Sequence, residues 1–173
     1  MDTLKLVAPA LALEEAFCRM SDDYQVHDPE GGEDYIAGAG DFEGYVAKLT
    51  KESLGIDLPS GYVPQSTLWL TDINNAIVGI SRLRHFLTPA LETVGGHIGC
   101  DVPPSCRGRG YGTVLLRETL KKAAEMKITR VFMTADQKNI ASCRVIEKNK
   151  GVLSGTNVDP HTNEVQNLYW ISL

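Results

Sequence analysis

The chain has 173 residues, 43% of them hydrophobic, and a formal net charge of −5. This length fits one domain with a continuous core, and the composition excludes a disordered or fibrous protein. An acidic chain gains little from nucleic acid or from an anionic membrane, so we expect neither as a partner. Any anionic ligand must be held by positive charge concentrated at one place.

The first apolar stretch and the cysteines both indicate a cytoplasmic protein. The stretch from Leu6 to Leu13 is short, is interrupted by Pro9 and runs into Glu14, so it predicts neither a signal peptide nor a membrane span. The cysteines form no C-x-x-C pair, which predicts reduced thiols, no metal site and no disulfide framework. They are Cys18, Cys100, Cys106 and Cys143.

The beginning of the chain predicts a strand, a helix and a loop. A strand at Leu4 to Val7 gives way at Pro9 to a helix that we expect to end near Ser21. Residues 28–40 are rich in Gly, Asp and Glu, which predicts a flexible surface loop. Its mobility would suit a lid on the side of an acceptor substrate.

The middle of the chain predicts a second helix and three strands. Asp41 is a good N-cap for a helix that ends before Gly55. From Thr67 the hydrophobic period changes to two, and an Asn74-Asn75 turn predicts a β-hairpin. A third central strand runs roughly from Gly96 to Val102.

Beyond Gly110 helices and strands alternate. An amphipathic helix comes first, and Arg130 to Ala135 then predicts a buried strand. Asn139 to Asn149 predicts another helix, and Asn167 to Ser172 predicts a final strand. This alternation is typical of an α/β fold with a sheet flanked by helices.

One segment, Arg107-Gly108-Arg109-Gly110-Tyr111-Gly112, predicts a binding site for a phosphate compound. It lies between a strand and a helix, where the first amide groups of the helix have no internal acceptors and meet the positive end of the helix dipole. Glycines let this backbone approach a phosphate closely, and the two arginines add positive charge.

Two common phosphate-binding motifs do not fit this segment. A P-loop requires G-x-x-x-x-G-K-S/T, and no lysine follows Gly112. A dinucleotide fingerprint requires G-x-G-x-x-G early in a βαβ unit, whereas these glycines are spaced by two and lie late in the chain.

The segment resembles the acyl-CoA loop of the GNAT superfamily of N-acetyltransferases, which has the form Q/R-x-x-G-x-G/A. Arg107, Gly110 and Gly112 fill this pattern. The flanking segments "HIGCDVPPS", "TVLLRETLKKAAEM", "VFMTA" and "NIASCRVIEKNKGVL" are also similar to the family, in a subgroup with the ending S-x-x-V-I-E-K-N-x-G. The resemblance covers roughly residues 67–173.

The resemblance implies a single domain with a mixed, mostly antiparallel central sheet, in which acyl-CoA enters a splay between central strands. Residues 1–66 would supply helices and acceptor-side loops, and residues 67–173 the core. Acetyl-CoA would be the co-substrate, and its pyrophosphate would meet the amides of the loop. The implied contacts are Cys100, Asp101 and Val102 along the pantetheine arm, Arg107, Gly108, Arg109, Gly110, Tyr111, Gly112 and Thr113 at the pyrophosphate, and Asn139 and Ser142 in the last helix.

The implied reaction is direct attack of an amine on the thioester, which needs a base for the amine and benefits from an acid for the thiolate. His97 is the first candidate for the base and Glu92 the second. His85 and Asp101 are weaker candidates. The tyrosine that acts as acid in many relatives is replaced by Ile146, which cannot donate a proton, so the acid is unassigned.

Several structural and functional alternatives remain open at this stage. His97 would equally well hydrogen-bond in the core, Asn139 is equally a helix N-cap, and Tyr169 and Trp170 would be core aromatics or face the acceptor cleft. A catalytically inactive module that binds CoA competes with the enzyme. The acceptor, whether a small amine or a peptide amine, has no motif, and exposed strand edges suit a homodimer.

Overall fold

A computed structural model of the chain describes residues 4–173. The elements within this range are numbered in chain order, and short 3-10 turns cover Leu11–Leu13 and Pro104–Cys106. The strands and helices are β1 (Lys5–Val7), α1 (Glu14–His27), α2 (Glu33–Gly40), α3 (Phe42–Leu54), β2 (Gln65–Thr71), β3 (Ile77–Arg84), β4 (Ile98–Asp101), α4 (Tyr111–Glu125), β5 (Arg130–Asp136), α5 (Ile140–Lys148), β6 (Val152–Val158) and β7 (Val165–Ser172).

The strands form two antiparallel sheets. The first has the order β1-β2-β3-β4 and the second the order β5-β7-β6. The hairpin of β2 and β3 turns at Asn74 and Asn75, and Asn75 has the positive φ of 59° that such turns favour. This is the mixed, mostly antiparallel architecture flanked by helices that the sequence predicted.

The two sheets meet at one point and then separate. The amide of His97 donates to the carbonyl of Phe132 at 2.7 Å, just before β4 begins. Gly96 makes this approach possible, because a Cβ atom there would lie 2.4 Å from the carbonyl oxygen of Phe132. Within residues 4–173, no other main-chain hydrogen bond joins β4 to β5. The central strands are therefore splayed, which confirms the predicted cleft.

Two large hydrophobic clusters cover the sheets. Aromatic side chains dominate the cluster under α1, α2 and α3, where the rings of Phe17 and Trp69 stack at a centroid distance of 5.3 Å. Aliphatic side chains dominate the cluster under α4 and α5. Burial of large side chains contributes about 1.5–3 kcal/mol each, so both layers stabilise the sheets that frame the cleft.

The first helix is longer than predicted. We expected it to end near Ser21, but α1 continues to His27. Tyr24 lies one helical turn beyond Met20 and is 1% exposed, so the apolar face of the helix extends past the polar residues that suggested an end. Pro29 disfavours helical backbone at Asp28 and ends the helix.

The predicted loop at residues 28–40 is wrong, because most of it is the helix α2. Two acidic residues occupy its first turn, where their negative charges stabilise the positive end of the helix dipole. Two glycines of residues 28–40 are packing positions: a Cβ atom at Gly38 would lie 2.7 Å from the ring of Tyr45, and one at Gly32 would lie 2.3 Å from Tyr24. Glycine here permits close contact between helices, although in the sequence it resembles a loop.

The other predicted elements are confirmed, with one omission. Asp41 caps α3 by accepting a hydrogen bond from the amide of Gly44, and Gly55 ends that helix with a φ of 72°. The strand β6 was not predicted, because nearly all of its side chains are exposed and it lies at the edge of its sheet. An edge strand with two solvated faces lacks the alternation that predicts a strand.

Candidate functional site

The turn before α4 presents a row of free amide groups. The amide of Arg107 donates to Pro104, and those of Thr113 and Val114 both donate to the carbonyl of Gly110. Between them, the amides of residues 108–112 have no acceptor in the described part of the chain. Five consecutive unsatisfied donors at a helix N-terminus form an anion site.

The glycines of this turn have different roles. Gly108 and Gly110 have φ angles of 76° and 85°, and a Cβ atom on either would contact nothing within 4 Å. They supply a left-handed backbone and leave open space beside the amides. Gly112 instead permits close packing, because its Cβ position is 3.3 Å from Val145 and 3.6 Å from Val102. The loop is thus open toward an anion and fixed against the core behind it.

The two arginines of the loop are not equivalent. The guanidinium of Arg107 donates to the carbonyl of Val102 at 3.0 Å and to the carboxylate of Asp28 at 2.5 Å, so protein atoms already hold it. Arg109 forms no ion pair within residues 4–173. The first turn of α4 carries no acidic residue, which keeps its end attractive to a diphosphate.

The edge of β4 that faces the splay is open to a ligand. Main-chain groups of Cys100 and Asp101 pair with β3 on one side, and β5 leaves the other side free. An extended pantetheine arm carries amides that such an edge can bind. Burial, reinforced by the neighbouring charge of Asp101, raises the pKa of the Cys100 thiol to about 12, so this thiol stays protonated.

The helix α5 closes the site from the other side. The side-chain oxygen of Asn139 accepts from the amide of Ser142 at 3.0 Å, so the N-cap role is observed and the predicted CoA contact of both residues stays a prediction. Ile146 is 2% exposed and packs in the core, and its aliphatic side chain cannot act as an acid. Asn149 donates to the carbonyls of Thr113 and Val145, which ties α5 to the first turn of α4.

The structure opposes the prediction that His97 is the general base. Its Nδ1 atom accepts the amide hydrogen of Phe132 at 2.9 Å, so the second ring nitrogen carries the proton of the neutral ring. Burial is the main cause that lowers the pKa of His97, and the charge of Arg84 acts in the same direction. The imidazole joins the two sheets and has no free lone pair.

The remaining candidates lie at separate places in the fold. Glu92 is exposed in the segment before β4, and its role as base stays a prediction. His85 contacts Ser66 through Nε2 at 2.9 Å. Tyr169 is a core residue, 1% exposed, whereas the ring of Trp170 lies 4.4 Å from the guanidinium carbon of Arg130. None of the last three contacts the loop at Gly110.

A cluster that the sequence analysis missed lies beside the end of β4. The hydroxyl of Tyr35 donates to Asp101 Oδ2 at 2.6 Å, and the guanidinium of Arg82 donates both to that carboxylate and to the Tyr35 hydroxyl. The three side chains line a cavity of about 220 Å³ together with Glu30, Gly31, Glu33 and Asp34. An acidic first turn followed by Tyr35 and Ile36 was the available signal for α2.

Taken together, the fold and the loop define a class of protein that binds an anionic ligand at a helix N-terminus beside a splayed sheet. The family model of the GNAT acetyltransferases matches residues 20–152. The chain belongs to the acetyltransferase (GNAT) family. The predicted family, fold and enzyme class are thereby confirmed, and a catalytically inactive module gains no support.

Solved structures with the same fold cover almost the whole chain. A GNAT-family acetyltransferase from Bacillus anthracis is 24% identical, with a TM-score of 0.65 over 99% of this chain and 95% of its own. The ribosomal-protein-S5-alanine acetyltransferase of Vibrio fischeri is 12% identical, with a TM-score of 0.73 over 99% and 94%. An acetyltransferase of Salmonella typhimurium that holds acetyl-CoA is 13% identical, with a TM-score of 0.65 over 99% and 95%. No curated protein matches in sequence.

Residues 4–173 contain no candidate metal centre and no candidate membrane-spanning helix. Among residues 4–173, no group of three or more His, Cys, Asp or Glu side chains is arranged to hold a metal ion. No helix in the same range has the length and apolar character needed to cross a bilayer.

Proposed function

We propose that this protein transfers the acetyl group of acetyl-CoA to an amine, with the donor held at the turn before α4. The five free amides of residues 108–112 carry this proposal, because they can donate hydrogen bonds to the doubly charged diphosphate of acetyl-CoA. Acetyl-CoA supplies a thioester, whose carbonyl carbon is open to attack by an amine. The acetyltransferase of Salmonella typhimurium described above, which has this fold, contains acetyl-CoA.

Direct attack, without an acyl-enzyme, is the mechanism that the residues of the cleft favour. Cys100 is the cysteine on the strand beside the splay, and its raised pKa keeps it a poor nucleophile. The open edge of β4 would align the thioester for the incoming amine, and such alignment alone accelerates a two-substrate reaction strongly. This arrangement compensates for the missing tyrosine at Ile146, because a thiolate leaves without full protonation.

The acceptor amine enters, in this proposal, from the cavity between α2 and the end of β4. Asp101 Oδ2 is held by Tyr35 and Arg82, while Oδ1 makes no hydrogen bond to described residues. The carboxylate is part of the cavity lining, and its side chain is 35% exposed. Asp101 therefore presents one free oxygen that can bind the acceptor amine.

The proposal is tested by following thiol release from acetyl-CoA with a panel of amines, including polyamines, amino acids and peptides with free N-termini. We expect turnover with at least one amine, and CoA should raise the melting temperature by mass action. Binding of CoA without turnover would favour an inactive module, and no thermal shift with millimolar CoA would refute the site.

The acceptor cavity is probed in the same assay by Asp101→Asn. This change keeps the shape of the side chain and removes the charge, so we expect kcat/KM for the amine to fall while the affinity for CoA is unchanged, because only the main chain of residue 101 faces the donor. Asp22→Asn, an exposed residue of α1 outside the cavity, is the matched control. A loss of CoA affinity in Asp101→Asn would contradict this placement of the acceptor.

We also propose that the protein is a cytoplasmic homodimer. All four cysteines are free, as a reducing compartment requires. Within residues 4–173, no strand pairs with the outer edge of β6, and Val152 and Val158 on this strand are 68% and 56% exposed. Such an edge accepts a second strand, and the main-chain N–H and C=O groups of two copies of β6 would hydrogen-bond to each other.

Light scattering on a sizing column should therefore give about twice the chain mass of 18.9 kDa. Val158→Lys places a charge on the edge and should shift the protein toward the monomer, because lysine on edge strands opposes pairing. A monomeric wild-type protein would contradict the homodimer without affecting the acetyltransferase proposal.

A further inference from the structure

The segment that carries the amide row is fastened to the end of α1. Asp28 lies directly after this helix, and its Oδ2 atom pairs with the guanidinium of Arg107 at 2.5 Å. Asp23, near the end of the same helix, accepts from the amide of Ser105 at 2.9 Å. The guanidinium carbon of Arg107 also lies 6.0 Å from the centre of the Tyr24 ring. Two residues of α1 and the residue after it thus contact Ser105 and Arg107, just before Gly108.

The geometry at Asp28 makes this carboxylate a bridge between two parts of the molecule. Its Oδ1 atom accepts from the amide of Gly31 at 3.1 Å, which orders the turn into α2, while Oδ2 binds Arg107. Both hydrogen bonds lower the pKa of Asp28, with that from Arg107 as the larger cause, so the group is ionised at neutral pH. The charge of Asp28 is therefore available for pairing with Arg107 at any physiological pH.

The side chain of Arg107 connects the loop to two neighbouring segments. Its Nε atom donates to the carbonyl of Val102, which closes the segment between β4 and α4 into a compact turn. Its guanidinium also donates to the carboxylate of Asp28, so two hydrogen bonds oppose rotation of Arg107 toward a bound diphosphate. The diphosphate then meets main-chain donors, and the arginine acts from behind them.

We propose that Asp28 is a positioning residue for the acyl-CoA loop, which acts through Arg107 on the five amides of residues 108–112. This inference rests on the proposed function and adds a residue outside the family motif to the donor site. It further implies that Arg107 contributes by holding the loop and not by contacting the diphosphate.

The test compares acetyl-CoA with acetyl-pantetheine, a thioester that lacks the diphosphate. Asp28→Asn keeps an oxygen for the amide of Gly31 and removes the charge that faces Arg107. We expect KM for acetyl-CoA and Kd for CoA to rise about threefold to fivefold, the range of a partly exposed ion pair, with kcat little changed. Kinetics with acetyl-pantetheine should match the wild type. Asp22→Asn, an exposed neighbour on α1, is the matched control.

A double-mutant cycle separates the two roles of Arg107. Arg107→Gln should weaken CoA binding at least as much as Asp28→Asn, because it also removes the bond to Val102. The double variant should be no weaker than Arg107→Gln, because Asp28 acts through Arg107. A double variant that loses the full sum of the two single effects would show that Asp28 acts independently of Arg107 and would overturn the inference. Equal losses with acetyl-pantetheine would also overturn it, because the effect would then not depend on the diphosphate.

The inference and the proposed function fail in different ways. If the wild-type protein binds CoA and Asp28→Asn binds it equally tightly, only the positioning role fails. If the wild-type protein neither binds CoA nor releases thiol from acetyl-CoA, the proposed function fails and the positioning role falls with it.

Discussion

Gly110→Glu is expected to abolish binding of CoA while the protein remains folded. Gly110 has open space on its Cα, so the new side chain meets no protein atom but places a carboxylate beside the free amides. Like charges brought together cost several kcal/mol, which corresponds to a loss of affinity of about 100-fold or more. Isothermal titration with CoA measures this loss, and circular dichroism reports the fold.

The backbone strain of this substitution is controlled by Gly61→Glu. Both glycines have a φ of 85° and no atom within 4 Å of a Cβ position, but Gly61 lies in the segment between α3 and β2. A left-handed glutamate costs about 1–2 kcal/mol at either place. Equal destabilisation of the two variants, with CoA binding lost only in Gly110→Glu, is the expected pattern. Unchanged CoA affinity in Gly110→Glu would refute the donor site.

His97→Leu is expected to lower the free energy of unfolding by about 1–3 kcal/mol, because the buried amide of Phe132 loses its acceptor. His97→Asn offers a side-chain oxygen close to the position of Nδ1 and should retain most of the stability. It should also retain most of the turnover. If His97 were the general base, His97→Asn would lose about 100-fold or more in kcat, which thiol-release kinetics would detect.

The pH dependence of stability gives an independent test of the same contact. Burial lowers the pKa of His97 in the folded protein below its ordinary value of 6.5, so the unfolded chain binds the proton more tightly. The contribution of the neutral His97 to the free energy of unfolding is complete above pH 6.5, and it is lost as the pH falls through the pKa of His97 in the folded protein. Below pH 6.5, the free energy of unfolding measured in urea should therefore fall more for the wild type than for His97→Asn. Parallel curves would contradict the buried neutral imidazole.

The parts of the fold that were predictable have local causes. The cap at Asp41 and the left-handed end at Gly55 depend on main-chain geometry within a few residues, as does the turn at Asn75. The prediction for residues 28–40 failed because Gly32 and Gly38 are required by rings of Tyr24 and Tyr45, on neighbouring helices. The residue type alone does not distinguish a glycine required for close packing from a glycine required for a loop.

The catalytic candidates illustrate the same limit. His97 had a suitable ordinary pKa and a suitable position in the chain, but its ring nitrogen is occupied by an amide 35 residues away. Asp101 was a weak candidate, and the partners that hold its carboxylate, Tyr35 and Arg82, lie 66 and 19 residues away. Sequence spacing carries no information on which side chains meet across such distances.

The sequence by itself determined the family, the alternation of helices and strands, and the position of the acyl-CoA loop. These follow from short-range physics, since the amides at the start of a helix are free wherever the helix begins and glycine permits positive φ without reference to the rest of the chain. The tertiary structure alone decided that Asp28, 79 residues before Arg107, pairs with it, and that α2 contributes Tyr35 to the cavity beside the end of β4. Those contacts arise from packing of separate layers, which the order of residues does not encode locally.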